Sequence, residues 1–152
     1  MKKKIIIISI VVVSILCIIN FFYPRNLGNL IDKNELIINV QSIEIRKMTV
    51  SGGDKVTLIT DKVKIKELIE YFSKHSVRKS IPRNVYNGNE IYEIFFNGNN
   101  IENTGWIQIF GGKYITCNTY KQRVSQRRGT IPPYIFVTDF DFEYFKQAFY
   151  KN

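Results

Sequence analysis

The run from Ile5 to Tyr23 constrains this chain more than any other segment: nineteen residues, interrupted only by Ser9, Ser14 and Asn20, and none charged. As a helix rising about 1.5 Å per residue it is roughly 28 Å long, close to the thickness of a bilayer's hydrocarbon core. A helix satisfies its own backbone hydrogen bonds, and Ile, Val, Leu and Phe enter lipid without a desolvation cost. Residues 1–23 are therefore expected to be a basic start and a transmembrane signal-anchor helix. Lys2, Lys3 and Lys4 precede the run. A basic flank stays on the cytoplasmic side, so the rest of the chain is expected outside the cytoplasm, as a single-pass protein of the cell membrane. Arg25 and later positive charge favour the reverse topology only weakly, because charge within a long domain counts for little.

A cleaved secretory signal has the same basic start and apolar centre, but is shorter and ends in small residues. No pair of small residues two apart lies between Cys17 and Gly28, so the helix is expected to remain as an anchor. Ser14, Ile15 and Leu16 do not fit the lipoprotein signal that would make Cys17 a lipidation site, and Cys17 is expected to face lipid. With Cys17 in the membrane and Cys117 in a predicted strand, the two cysteines cannot pair within one molecule.

Residues 24–35 contain Pro24, Gly28 and three asparagines and are expected to be a juxtamembrane linker. Residues 36–152 are expected to be one domain, of a size that buries a core without covalent staples. Ile43 and Ile45 alternate with Glu44 and Arg46, and Val56 and Leu58 follow a Ser51-Gly52-Gly53-Asp54 turn, which predicts a hairpin over 39–60. Thr60 or Asp61 then caps a helix with Ile65, Leu68, Ile69 and Phe72 at i, i+3, i+4 and i+7. After an irregular basic loop, residues 90–96, 105–110 and 113–117 read as strands, and 134–137 as another. Thr138 with Asp141 resembles a capping box for a closing helix that buries Phe142, Phe145 and Phe149.

Strands in the order ββα then ββββα predict an α+β domain, a mostly antiparallel sheet with two helices packed on one face. Alternation turns Tyr92, Ile94, Phe96, Ile107 and Ile109 inward and leaves Phe95, Trp106 and Phe110 outward. The layout resembles small membrane-anchored or secreted extracytoplasmic domains of unknown function from Gram-positive bacteria. The resemblance is carried by Ser42-Ile43-Glu44-Ile45, by Ile59-Thr60-Asp61-Lys62 leading into Ile65-Lys66-Glu67-Leu68, and by the later strands and terminal helix. It covers most of residues 39–150 and implies no activity. The irregular stretch 119–133 is longer than such compact domains have.

Charge gives the first candidate contact. The net charge is +9, and without Lys2, Lys3 and Lys4 the remainder carries +6. Lys74, Arg78, Lys79 and Arg83 lie between Glu70 and Glu90 without an acid among them. Lys113, Lys121, Arg123, Arg127 and Arg128 lie likewise between Glu102 and Asp139. Two acid-free basic loops on an anchored domain attract polyanions over about a Debye length, roughly 8 to 10 Å, so anionic lipid headgroups or wall polymers are the expected partners. The bland alternative is a solvated basic surface. Nucleic acid is not expected outside the cell. The second candidate is the outward Phe95, Trp106 and Phe110, which suit a protein or glycan unless another segment packs over them. An immunity or inhibitor protein that captures a partner through this face is the alternative function.

An enzyme reading starts from Cys117 at a strand end, with His75 upstream and Arg123, Arg127 or Arg128 soon after, a set that resembles sortase transpeptidases. Their chemistry takes a cysteine nucleophile, a histidine proton carrier and an arginine at the oxyanion. Against it stand the short domain, the terminal helix and the tendency of a strand cysteine to act as a small hydrophobe, so no catalysis is expected. One histidine and one extracytoplasmic cysteine make no typical zinc site, and Asp139, Asp141 and Glu143 read as charge at a helix N-terminus. No metal or cofactor is expected.

Overall fold

The structure, a computed structural model, describes residues 2–48, 55–80, 90–99, 105–119 and 133–150. Helix α1 (Lys2–Phe22) contains the span Ile5–Phe22, long and apolar enough to cross a membrane, and its side chains from Ile5 to Asn20 are all exposed. The rest is an α+β unit built on one antiparallel sheet.

The stretch expected as a linker is folded. Pro24 leads straight into strand β1 (Arg25–Asn26), then helices α2 (Leu27–Leu30) and α3 (Lys33–Asn39). Leu27, Ile31 and Leu36 are buried in the core. Leu27, Leu30 and Ile31 stand at i, i+3 and i+4, too few to show a period, and the residues that read as breakers have structural tasks. The Asn26 side chain caps α2 by accepting from Asn29 N–H, and Asp32 takes the left-handed conformation, φ 55°, that turns α2 into α3. Gly28 is required by close approach, since a Cβ there would stand 2.9 Å from Ser73 Cβ.

The hairpin follows as β2 (Val40–Met48) and β3 (Lys55–Ile59), and α4 (Lys62–Ser73) begins at Asp61, whose carboxylate accepts from Val63 N–H at 2.8 Å. Ile65, Leu68, Ile69 and Phe72 form its buried stripe. Strand β4 (Ser76–Lys79) replaces the first part of the expected loop; with Val77 its only apolar residue it leaves no alternating pattern to read. The sheet is completed by β5 (Ile91–Gly98), β6 (Gly105–Phe110), β7 (Tyr114–Thr119) and β8 (Tyr134–Phe136), in the order β1-β4-β8-β7-β6-β5-β2-β3. Gly111 and Gly112, both at positive φ, make the β6–β7 turn, closed by Lys113 N–H donating to the Phe110 carbonyl at 3.1 Å.

Tyr92, Ile94, Phe96, Ile107 and Ile109 are buried as alternation predicts, and they share one core with Phe72 of α4 and Phe145 of the closing helix. That helix is α5 (Phe142–Phe145), continued by a π-helical turn over Lys146–Tyr150. Its cap is Asp141, which accepts from Tyr144 N–H at 2.8 Å. Thr138 caps nothing there; its hydroxyl accepts from Ser76 N–H and lies 3.2 Å from His75 Nδ1.

Candidate functional site

The junction of α1 with the sheet gathers part of the first basic group. Strand β1 pairs with β4 antiparallel, Arg25 opposite Val77, so α1 leaves the sheet at the Lys79 end of β4. The Lys79 ammonium stands 5.9 Å from the centroid of the Phe21 ring, within cation–π reach. Ser80 N–H donates to the Pro133 carbonyl at 2.8 Å at this same end. Arg78 is exposed on β4, and Arg78 and Lys79 therefore belong to a strand and not to a loop. Lys74 is exposed but belongs to the other end of β4, roughly 10 Å away along the strand. Arg83, Lys121, Arg123, Arg127 and Arg128 lie outside the described residues.

On the sheet face away from the core, Phe95 opposes Trp106 and both are half-buried, while Phe110, expected outward, is only 1% exposed. Alternation names a face and not its exposure: Ile91 and Tyr114 stand directly opposite Phe110 on either side. Thr116 and Asn118 on the same face are buried too. Elsewhere the face is polar and bonded to itself. Arg46 donates to Glu44 and lies 5.0 Å above the Phe95 ring, and Gln108 donates to Glu93. The three aromatics do not form an open patch.

His75 and Cys117 have different surroundings. His75 is buried, with Tyr71, Phe136 and Phe140 rings 5.1 to 5.7 Å from its own. Desolvation, with Lys74 adding to it, holds its pKa below the usual 6.5. Cys117 is buried in the core, and burial pushes its thiol up to about 12. A thiol held there stays protonated at neutral pH and is a weak nucleophile. Among the described residues no group of three or more His, Cys, Asp or Glu is placed to hold a metal ion.

The sequence reading missed the free side of β3. Val56 and Leu58, whose alternation marked this strand, face solvent at 48% and 63% exposure, while Thr57 and Ile59 turn into the core. Register decides this: Thr57 opposes Ile45 and Ile59 opposes Ile43, both core residues of β2. Beside the strand runs an open groove of about 220 Å³ lined by Leu58, Ile59, Asp61, Lys64, Ala148 and Phe149. A larger open hollow, about 490 Å³, lies on the opposite side among Asn26, Asn29, Asp32, Lys33, Asn34 and Ser73. Comparison of the chain with protein-family models, with curated proteins and with solved structures gives no significant match.

Proposed function

We propose that this is a single-pass, membrane-anchored binding protein whose domain lies outside the cytoplasm and rests its β1–β4 edge against anionic lipid headgroups. One observation carries the reading: the anchor enters the sheet with only Tyr23 and Pro24 between α1 and β1, and Arg25, Arg78 and Lys79 stand at or next to that entry. A helix whose apolar span ends at Phe22 puts these cations at headgroup depth, where each basic residue is worth about 1 kcal/mol against an anionic surface. The aromatic residues Phe21, Phe22 and Tyr23 suit the same interface. The three lysines at the start of α1 support the outward orientation. The protonated, buried Cys117 weighs against a sortase-like activity.

The test uses the full chain in nanodiscs of phosphatidylcholine with and without phosphatidylglycerol. Amide exchange at Arg25–Asn26 and Ser76–Lys79 is expected to slow in the anionic discs and to recover at high salt. The triple variant Arg25→Gln, Arg78→Gln, Lys79→Gln is expected to erase the difference between discs. Equal exchange of the native chain in both lipids overturns the reading.

A further inference from the structure

Among the described residues, the edge strand β3 carries one of the devices that usually protect a sheet edge, the charge of Lys55 at its first position, and none along the rest of its length. Such edges are kept short, charged, bulged or covered, because their backbone N–H and C=O groups otherwise pair with another chain. Strand β3 is five residues long, carries its charge only at Lys55, and is the terminal strand of the sheet among the described residues. Its outward side chains are Val56 and Leu58. The strand is also held rigidly from the core side. Thr57 Oγ1 donates to the Tyr150 carbonyl and Tyr150 OH donates to the Lys55 carbonyl, both at 3.1 Å. A fixed strand costs little further ordering when a second strand joins it.

We propose that β3 and the groove beside it receive an extended peptide segment of a partner protein, added as a ninth strand. Main-chain hydrogen bonds supply affinity in strand addition, and pockets for alternate side chains supply specificity. Here one set of peptide side chains lies beside Val56 and Leu58, and the other enters the groove against Ala148 and Phe149. Charge selects the peptide's ends. Lys55 and Lys64 are exposed at the two ends of the site and have no ion-pair partner among the described residues, whereas the Asp61 carboxylate is engaged as the cap of α4. The segment that fits is apolar at alternate positions with acidic residues at its ends. A second copy of this chain is the poorer occupant, since it brings the same lysines to the same edge. The site is on the opposite side of the sheet from the headgroup contact and does not depend on it.

The experiment uses the full chain in nanodiscs of neutral lipid, so that headgroup charge plays no part, and a fluorescent peptide Glu-Val-Thr-Val-Thr-Val-Asp as probe. Saturable binding by anisotropy is expected, with slowed amide exchange across Lys55–Ile59. Leu58→Lys, a change at an exposed side chain that leaves the fold intact, is expected to weaken binding about tenfold. Lys64→Glu is expected to reverse the preference between this peptide and one ending in lysines. A peptide N-methylated at alternate residues is expected not to bind. The proposal fails if the native peptide does not bind, if N-methylation changes nothing, or if exchange at β3 is unaltered. Concentration-dependent self-association that Leu58→Lys abolishes also overturns it, by assigning the edge to a second copy.

Discussion

The two edges of the sheet are finished in opposite ways. At one edge, β1 is two residues long, and the chain on either side of it is committed: the long apolar helix α1 precedes it, and α2 and α3 follow it into the core. At the other, β3 is longer and shows Val56 and Leu58 to solvent. Burying the chain next to an edge converts it into structure, whereas leaving its apolar side chains exposed keeps it available. The first edge should therefore dominate stability and the second should dominate recognition.

The strongest way to break this contrast is Leu27→Ala. Leu27 follows β1 directly, is fully buried, and its N–H donates to the His75 carbonyl at 2.9 Å. Truncating a buried leucine costs about 2 to 5 kcal/mol, which urea unfolding of the full chain in micelles is expected to show. Trimming the chain to residues 36–152 removes Leu27, Ile31 and β1 together and is expected to abolish the cooperative transition. A loss below about 1 kcal/mol for Leu27→Ala would mean that the β1 edge is a tether and not part of the core.

The next effect is smaller and lies beside β3. Asp61→Ala removes the carboxylate that accepts from Val63 N–H, and loss of such a cap costs about 1 kcal/mol. The sequence narrowed this cap to Thr60 or Asp61, and the bond from Val63 N–H makes it Asp61. The hairpin, the inward set Tyr92 to Ile109 and the fold class were legible from a period repeated several times. What escaped were elements with too few apolar residues to show a period. Strand β4 has Val77 alone, and α2 is a single turn hidden among asparagines. Thr138 and Asp141 both satisfied a capping rule, and only the approach of His75 and Ser76 to Thr138 decides between them.

The candidate contacts were less legible than the fold. Lys79 was recognisable as part of a basic group, but its place beside Phe21 depends on β1 pairing with β4, a contact between segments some fifty residues apart. Phe110 failed in a different way, since alternation gives direction while burial depends on neighbours in space. Val56 and Leu58 marked a strand without showing which way it faces: in Val-Thr-Leu-Ile either set fits the core, and register against β2 makes the choice.

His75 supplies a pH test of the β1 side. It ends the turn between α4 and β4, with Thr138 at one ring nitrogen and Nε2 buried without a hydrogen-bond partner among the described residues. Its folded-state pKa lies below the unfolded value near 6.5, so the unfolded chain binds the proton first as pH falls. Stability from the neutral ring is complete above about 6.5 and declines as pH drops from there through the folded pKa. Urea midpoints are expected to fall with acid over that interval, and His75→Gln is expected to flatten that part of the profile. An unchanged slope in the variant would remove His75 as its source.

The smallest expected effect sharpens the contrast most. Leu58→Lys replaces a side chain 63% exposed, and substitutions at such positions usually change stability by no more than about 0.5 kcal/mol. Unfolding of this variant should match the native chain within that margin, even though leucine is apolar and sits in a strand. The reason is the pleat: Thr57 and Ile59, not Leu58, face the core, and Thr57 carries the bond to Tyr150. A charged residue at an edge is also a device by which sheets avoid pairing with other chains. Leu58→Lys therefore gives β3 the protection it lacks while leaving the fold alone, so a stability loss of 2 kcal/mol or more would show that Leu58 packs against something and that the edge is closed.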